Sequence, residues 1–131
     1  MRNTAREAAL NVIFAQQFNT DYVDALKKKI FKQFKLEKED DVLFAADLIA
    51  CVEEHRTELI AGIEDACHHY KENRINPMDK SILLIAMAEI RYFDDIPSVV
   101  SVSEATGLAR KYSTEKSADF VNGVLSGVIN K

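Results

Sequence analysis

The chain has 131 residues, 47% of them hydrophobic and 29% charged. That length suits one domain and that mixture can bury a core, which excludes a disordered or low-complexity chain. Four glycines and two prolines are too few for the tight turns of a sandwich or barrel, so long helices are expected. No apolar run reaches the roughly 18 residues of a membrane span, and no charged-then-apolar leader opens the sequence, so a cytoplasmic protein is expected. Cys51 and Cys67 then read as reduced thiols packed as small apolar groups. The net charge of −4 is unevenly spread. Residues 1–35 carry seven Lys/Arg against three Asp/Glu, residues 36–72 three against eleven, and residues 73–131 seven of each. A basic end and an acidic middle suit two different partners.

In chain order, Thr4-Ala5-Arg6-Glu7 reads as a capping box, each side chain satisfying an orphan amide of a first helical turn. Ala8, Ala9, Val12, Ile13 and Ala15 follow at helical spacing, and Asn19-Thr20-Asp21 reads as a break. A second amphipathic stretch runs from Tyr22 to Phe34, with Val23, Leu26, Ile30 and Phe34 as its buried stripe. Lys27, Lys28, Lys29 and Lys32 form its wet face. A third stretch, Glu39 to Lys71, is long for one globular helix, which predicts two helices or a bend near His55 to Thr57. Gly62 inside it costs helix propensity and marks a close helix contact.

Asn76-Pro77-Met78-Asp79 is a strong helix start: Asn caps, Pro suits the first helical position, and Asp favours the positive end of the dipole. Ile82 to Ile90 is apolar almost all round, broken mainly by Glu89, and belongs in the centre of a bundle. Asp94-Asp95-Ile96-Pro97 ends that helix. Ser101-Val102-Ser103-Glu104 reads as a second capping box opening a helix to Tyr112. Ser113 to Ser117 reads as a turn or cap, and a last helix runs from Ala118 to Ile129. The fold class is all-α: a single domain, 1–131, of six or seven helices arranged as two packed bundles.

Few constellations point to catalysis. Cys67-His68-His69 and the Cys51/His55 pair lack the spacing of a metal site, since adjacent helical His residues diverge by about 100° and no CxxC or HExxH accompanies them. No glycine loop cradles phosphate and no GxSxG elbow is present. The acidic run Glu37 to Asp41 reads as a solvated helix start. No catalytic residue, metal or cofactor is therefore expected. Cations near aromatics are more informative. Arg2 and Arg6 open the chain, while Arg110, Lys111 and Lys116 flank Tyr112, with Phe120 close by. Cations bind phosphates and aromatic faces stack on unpaired bases. In the plainer alternative, Tyr112 and Phe120 are core residues and the cations a wet face. Asn122 and Gly123 both lower helix propensity; they serve either a hydrogen bond and a close crossing or a binding role.

The sequence resembles the NusB family of bacterial transcription antitermination factors. The residues that carry the resemblance are Asp79-Lys80-Ser81-Ile82-Leu83, Ala88-Glu89-Ile90, Asp95-Ile96-Pro97, Ser103-Glu104-Ala105, Leu108-Ala109-Arg110-Lys111-Tyr112 and Phe120-Val121-Asn122-Gly123-Val124-Leu125. Thr4-Ala5-Arg6-Glu7-Ala8-Ala9 is similar to the family's opening helix. The resemblance implies an all-helical fold of two bundled subdomains. It implies binding of single-stranded boxA RNA in transcripts of ribosomal RNA operons, as a heterodimer with NusE, a small-subunit ribosomal protein. Other Nus factors and RNA polymerase are then indirect partners, and no catalysis is expected.

By position, the resemblance puts Arg2 and Arg6 in the family's arginine-rich motif. Gln16, Tyr112, Lys116 and Phe120 fall where the family meets RNA. With Arg110, Lys111 and Asn122 they make up the expected RNA-binding set. Asp79, with Lys80 and Leu83, falls where the family meets NusE. Asn3 stands where another Arg is common, which predicts weaker RNA binding alone. Ser98 and Ser103 also depart from the family's more usual residues. Lys116 stands where an acidic or neutral residue is frequent, and adds a cation beside the aromatics. Three alternatives are the related RNA-binding domain of some rRNA cytosine methyltransferases, which requires a further catalytic domain, a protein-only interaction bundle, and a homodimer that masks the RNA face.

Overall fold

The computed structural model describes residues 2–18, 21, 23–67 and 75–130. Six α-helices and no strand occupy the described residues: α1 (Arg2–Gln16), α2 (Val23–Gln33), α3 (Glu39–Ala66), α4 (Pro77–Tyr92), α5 (Ser98–Tyr112) and α6 (Glu115–Ile129). None is long and apolar enough to cross a membrane. His68, His69, Asn19, Thr20, Tyr22 and the side chain of Val23, all named in the sequence reading, lie outside the described residues.

Helix α4 forms as its sequence dictates. Asn76 is extended (φ −66°, ψ 156°) and its side chain accepts from the Asp79 amide at 2.8 Å, with Pro77 at the first position. Ser81 through Glu89 are all buried. That is possible because α4 packs against α1, α3, α5 and α6. It is the wall shared by two helical groups, α1–α3 on one side and α5–α6 on the other.

The long third stretch bends where expected. α3 runs unbroken in hydrogen bonding, but His55 leaves helical geometry (φ −107°, ψ 16°). The His55 ring stacks on Tyr92 of α4 at 3.9 Å and 14°, so the bend brings the second half of α3 along α4. Gly62 makes the close approach its propensity cost suggested. A Cβ there would lie 3.0 Å from the Met87 Cε and 2.5 Å from an Arg91 guanidinium nitrogen.

Helix α2 ends in a Schellman motif. The Leu36 amide donates to Phe31 and the Lys35 amide to Lys32, both at 3.0 Å, while Lys35 takes the left-handed conformation (φ 54°). Glycine would adopt that conformation at no steric cost, and lysine does not. Leu36 and Phe31 compensate by packing on the core. Ile30 is buried, Leu26 and Phe34 partly so, and Lys28, Lys29 and Lys32 face solvent; Lys27 is half-buried.

Three expected helix starts fall elsewhere. α1 is already helical at Arg2, so Thr4 lacks the extended backbone of a cap and no capping box forms with Glu7. α5 begins at Ser98 behind an extended Pro97 (φ −60°, ψ 137°), which leaves Ser101 and Glu104 inside the helix. α6 begins at Glu115, three residues before Ala118, because Thr114 accepts from the Ser117 amide at 2.9 Å.

Candidate nucleic-acid interface

The basic end of α1 is anchored by one buried ion pair. Arg6 donates from Nε and Nη2 to the two carboxylate oxygens of Glu89, each at 2.8 Å. Both side chains are 5% exposed or less. Ser101 of α5 donates its hydroxyl to the same carboxylate at 3.1 Å. A two-pronged guanidinium–carboxylate pair fixes orientation as well as distance. Three helices, α1, α4 and α5, are therefore registered at one point. Arg2, one turn earlier, is exposed; it pairs with Asp95 at 3.0 Å and lies 4.7 Å over the Phe44 ring.

Next to Arg6, Glu7 turns toward the carboxy-terminal end of α5. Its Oε1 accepts from the Tyr112 hydroxyl at 3.1 Å and pairs with Lys111 Nζ at 2.5 Å. Lys111 also sits 5.7 Å over the Tyr112 ring. The hydrogen bond to Glu7, and then its charge, push the Lys111 ammonium above the ordinary lysine value. Burial is the largest cause raising the Tyr112 phenol. Arg110 and Lys111 occupy the last turn of α5, where cations complement the helix dipole.

A two-residue junction, Ser113 and Thr114, leads from α5 into α6, and the Ser113 hydroxyl bonds that of Ser117 at 2.8 Å. Across it Arg110 pairs with Glu115 at 2.7 Å. Lys116 is exposed, with no ion-pair partner among the described residues. Phe120 follows one turn later on the same face, partly buried against the core. Tyr112 is likewise partly buried on the core, so the core and surface readings of these two rings each hold in part. Asn122 is exposed and borders a groove between α5 and α6 with Val102, Thr106 and Arg110.

The folded chain gathers Arg110, Lys111 and Tyr112 at the end of α5, with Lys116 and Phe120 following in α6, whereas Arg2 lies beside Asp95, Pro97 and Phe44, at the other end of α5. It keeps others away. Gln16 lies ten residues from Arg6, about 15 Å along the helix, and is buried with its amide donating to Glu53 at 2.9 Å. Arg6 is spent on Glu89. Asp79 is 5% exposed; it accepts from Ser117 at 3.0 Å and from Asn76 at 3.1 Å. Leu83 has no exposed surface, while Lys80 is half-buried. Arg6, Gln16, Asp79 and Leu83, expected at partner surfaces, are all buried in the folded chain.

Sequence reasoning missed Glu7, Glu89, Ser101 and Asp95 as members of this site. Glu89 carried a signal: a lone carboxylate on an all-apolar helix requires a buried cation, and Arg6 was the cation on the apolar face of α1. Cys51 and Cys67 form no disulfide among the described residues, and burial raises the pKa of both thiols. No metal-binding group of His, Cys, Asp and Glu occurs among the described residues.

The NusB family model matches residues 3–130. The chain belongs to the NusB family. It is 36% identical to the transcription antitermination protein NusB of Natranaerobius thermophilus, over 99% of this chain and 95% of that protein. It is 35% identical to the NusB of Listeria innocua, over 97% of this chain and 94% of that protein. Among solved structures, T. maritima NusB superposes with a TM-score of 0.88 at 25% identity, covering 100% of this chain and 92% of that one. A NusB in a crystal structure of antitermination factors NusB and NusE with dsRNA gives 0.88 at 23% identity, over 98% and 96% of the two chains. The NusB fold therefore extends over the whole chain, and these relatives are named as antitermination factors, not as enzymes.

Proposed function

We propose that this chain is a cytoplasmic transcription antitermination factor. It binds the boxA element of rRNA operon transcripts together with NusE and helps RNA polymerase, with other Nus factors, resist termination. The observation that carries the reading is the run of solvent-facing Arg110, Lys111 and Lys116 across the α5–α6 junction, with Tyr112 and Phe120 partly buried beside them. Cations supply phosphate affinity; aromatic edges at a surface select unpaired bases. The relatives' name supports the antitermination role, and the solved complex of NusB and NusE with dsRNA supports RNA and NusE as partners. The acidic face of α3, with Asp40, Asp41 and Asp47 beside exposed Leu43, suits a basic protein such as NusE.

The test is fluorescence anisotropy with a boxA-like single strand, its scrambled control and its duplex, each with and without NusE. Tighter, boxA-selective binding of the single strand in the presence of NusE is the expected result. Lys116→Ala weakens binding across sequences and flattens the salt slope by about 0.7. A second reading, a protein-only adaptor, is favoured by one observation: Arg2, Arg6, Arg110 and Lys111 all sit on carboxylates of the same chain. NusE capture with no RNA binding in any arm would establish that adaptor instead.

A further inference from the structure

The carboxylates that hold these cations are not equivalent. Asp95 and Glu115 are exposed, with 63% and 72% of their side chains accessible. Glu7 is 16% accessible, lies between α1 and α5, and holds two groups of the candidate interface at once. An exposed pair separates readily in water. A half-buried carboxylate with two donors keeps its geometry, because leaving either donor strands charge at low dielectric. Glu7 also occupies the place a phosphate would take: an anionic oxygen 2.5 Å from the Lys111 ammonium and 3.1 Å from the Tyr112 hydroxyl. Arg6, its neighbour in sequence, is committed to Glu89 and does not neutralise it.

We infer that Glu7 is a specificity-determining residue of the RNA face: it competes with RNA phosphate for Lys111 and so holds down binding that rests on charge alone. The inference rests on the RNA-binding reading above. A strand that offers only phosphates must displace an internal carboxylate to reach Lys111. A strand whose bases also stack on Tyr112 and Phe120 offsets that displacement. Glu7 therefore penalises arbitrary polyanions more than it penalises the cognate single strand.

The experiment measures anisotropy titrations of the full chain with NusE, using a boxA-like single strand and a scrambled strand, across a salt series. The proteins are the wild type, Glu7→Gln, Lys111→Ala, the double variant and Glu115→Gln. Glutamine keeps the shape of Glu7 and an acceptor for the Tyr112 hydroxyl but carries no charge. Glu7→Gln is expected to bind the scrambled strand about two- to fivefold more tightly, in line with one exposed charge contact. The boxA-like strand is expected to gain less, so selectivity falls. The salt slope steepens by up to about 0.7, one more phosphate neutralised on a single strand, and the gain vanishes when Lys111 is Ala. Glu115→Gln lies on the exposed rim and does not threaten the fold; a smaller gain through Arg110 is expected there.

Equal or weaker binding by Glu7→Gln with an unchanged melting curve overturns the inference, and so does a gain that survives in the Lys111→Ala background. If Glu7→Gln melts early, Lys111→Ala decides: a lysine held by Glu7 contributes less to the scrambled strand than to the boxA-like strand, and equal losses on the two strands overturn the inference. No RNA binding by the wild type in any arm is a separate failure: it removes the RNA-binding reading and this inference with it.

Discussion

The two faces of α1 use the same chemistry for different ends. On the inner face, Arg6 and Glu89 form a two-pronged pair sealed from water, with Ser101 as a third partner. On the outer face, Arg2 pairs with Asp95 while the two side chains stay 50% and 63% exposed. Burial decides the difference. A sealed pair whose partner is deleted leaves a charge in a low-dielectric core, which costs about 3–5 kcal/mol. An exposed pair is worth about 0–1 kcal/mol, because water and salt replace the lost partner. The inner pair sets where the helices sit; Arg2 on the outer face remains available to an incoming anion.

The sharpest way to break this comparison is Glu89→Ala. It should lower stability by about 3–5 kcal/mol in urea unfolding, and Arg6→Ala should do nearly the same. If both cost under 1 kcal/mol, the buried pair is not the anchor. Gly62→Leu follows, since its side chain meets Met87 and Arg91; overpacking of this kind costs about 1–3 kcal/mol. Thr114→Ala removes the cap of α6 and should cost about 1 kcal/mol. Lys35→Gly relieves a left-handed lysine and should raise stability by up to about 1 kcal/mol, the one change here with the opposite sign. Arg2→Ala should change stability least, by under about 0.5 kcal/mol, yet weaken RNA binding at low salt. An Arg2 effect on stability as large as that of Arg6 would erase the distinction between the two faces.

The parts of the fold legible in the sequence were those set by local chemistry. Asn76-Pro77 starts α4, the apolar run places it at the centre, and the length of the third stretch forces the bend at His55. The capping boxes at Thr4 and Ser101 failed because the helices are already formed there, from Arg2 and Ser98, which frees Glu7 and Ser101 for tertiary partners. Glu7 reaches Tyr112 and Lys111, and Ser101 reaches Glu89. A four-residue pattern cannot distinguish a carboxylate aimed at its own helix amides from one aimed at a lysine 104 positions along the chain. The site divided the same way. That Lys111 and Lys116 face solvent was readable from residue type alone. That Arg6, Gln16, Asp79 and Leu83 point inward was not readable, since that depends on which neighbour each helix face meets.

Helix α4 has a consequence for how the molecule breathes. Four helices pack on it, whereas α2 packs chiefly on α1. Amide hydrogens in the middle of α4 should exchange with solvent only when the whole molecule unfolds, and those of α2 through a smaller local opening. Deuterium uptake should therefore begin at α2 and reach α4 last. Opening of that kind should leave the α5–α6 packing and the hold of Glu7 on Lys111 and Tyr112 intact, so the candidate interface keeps its shape when the lysine-rich helix opens.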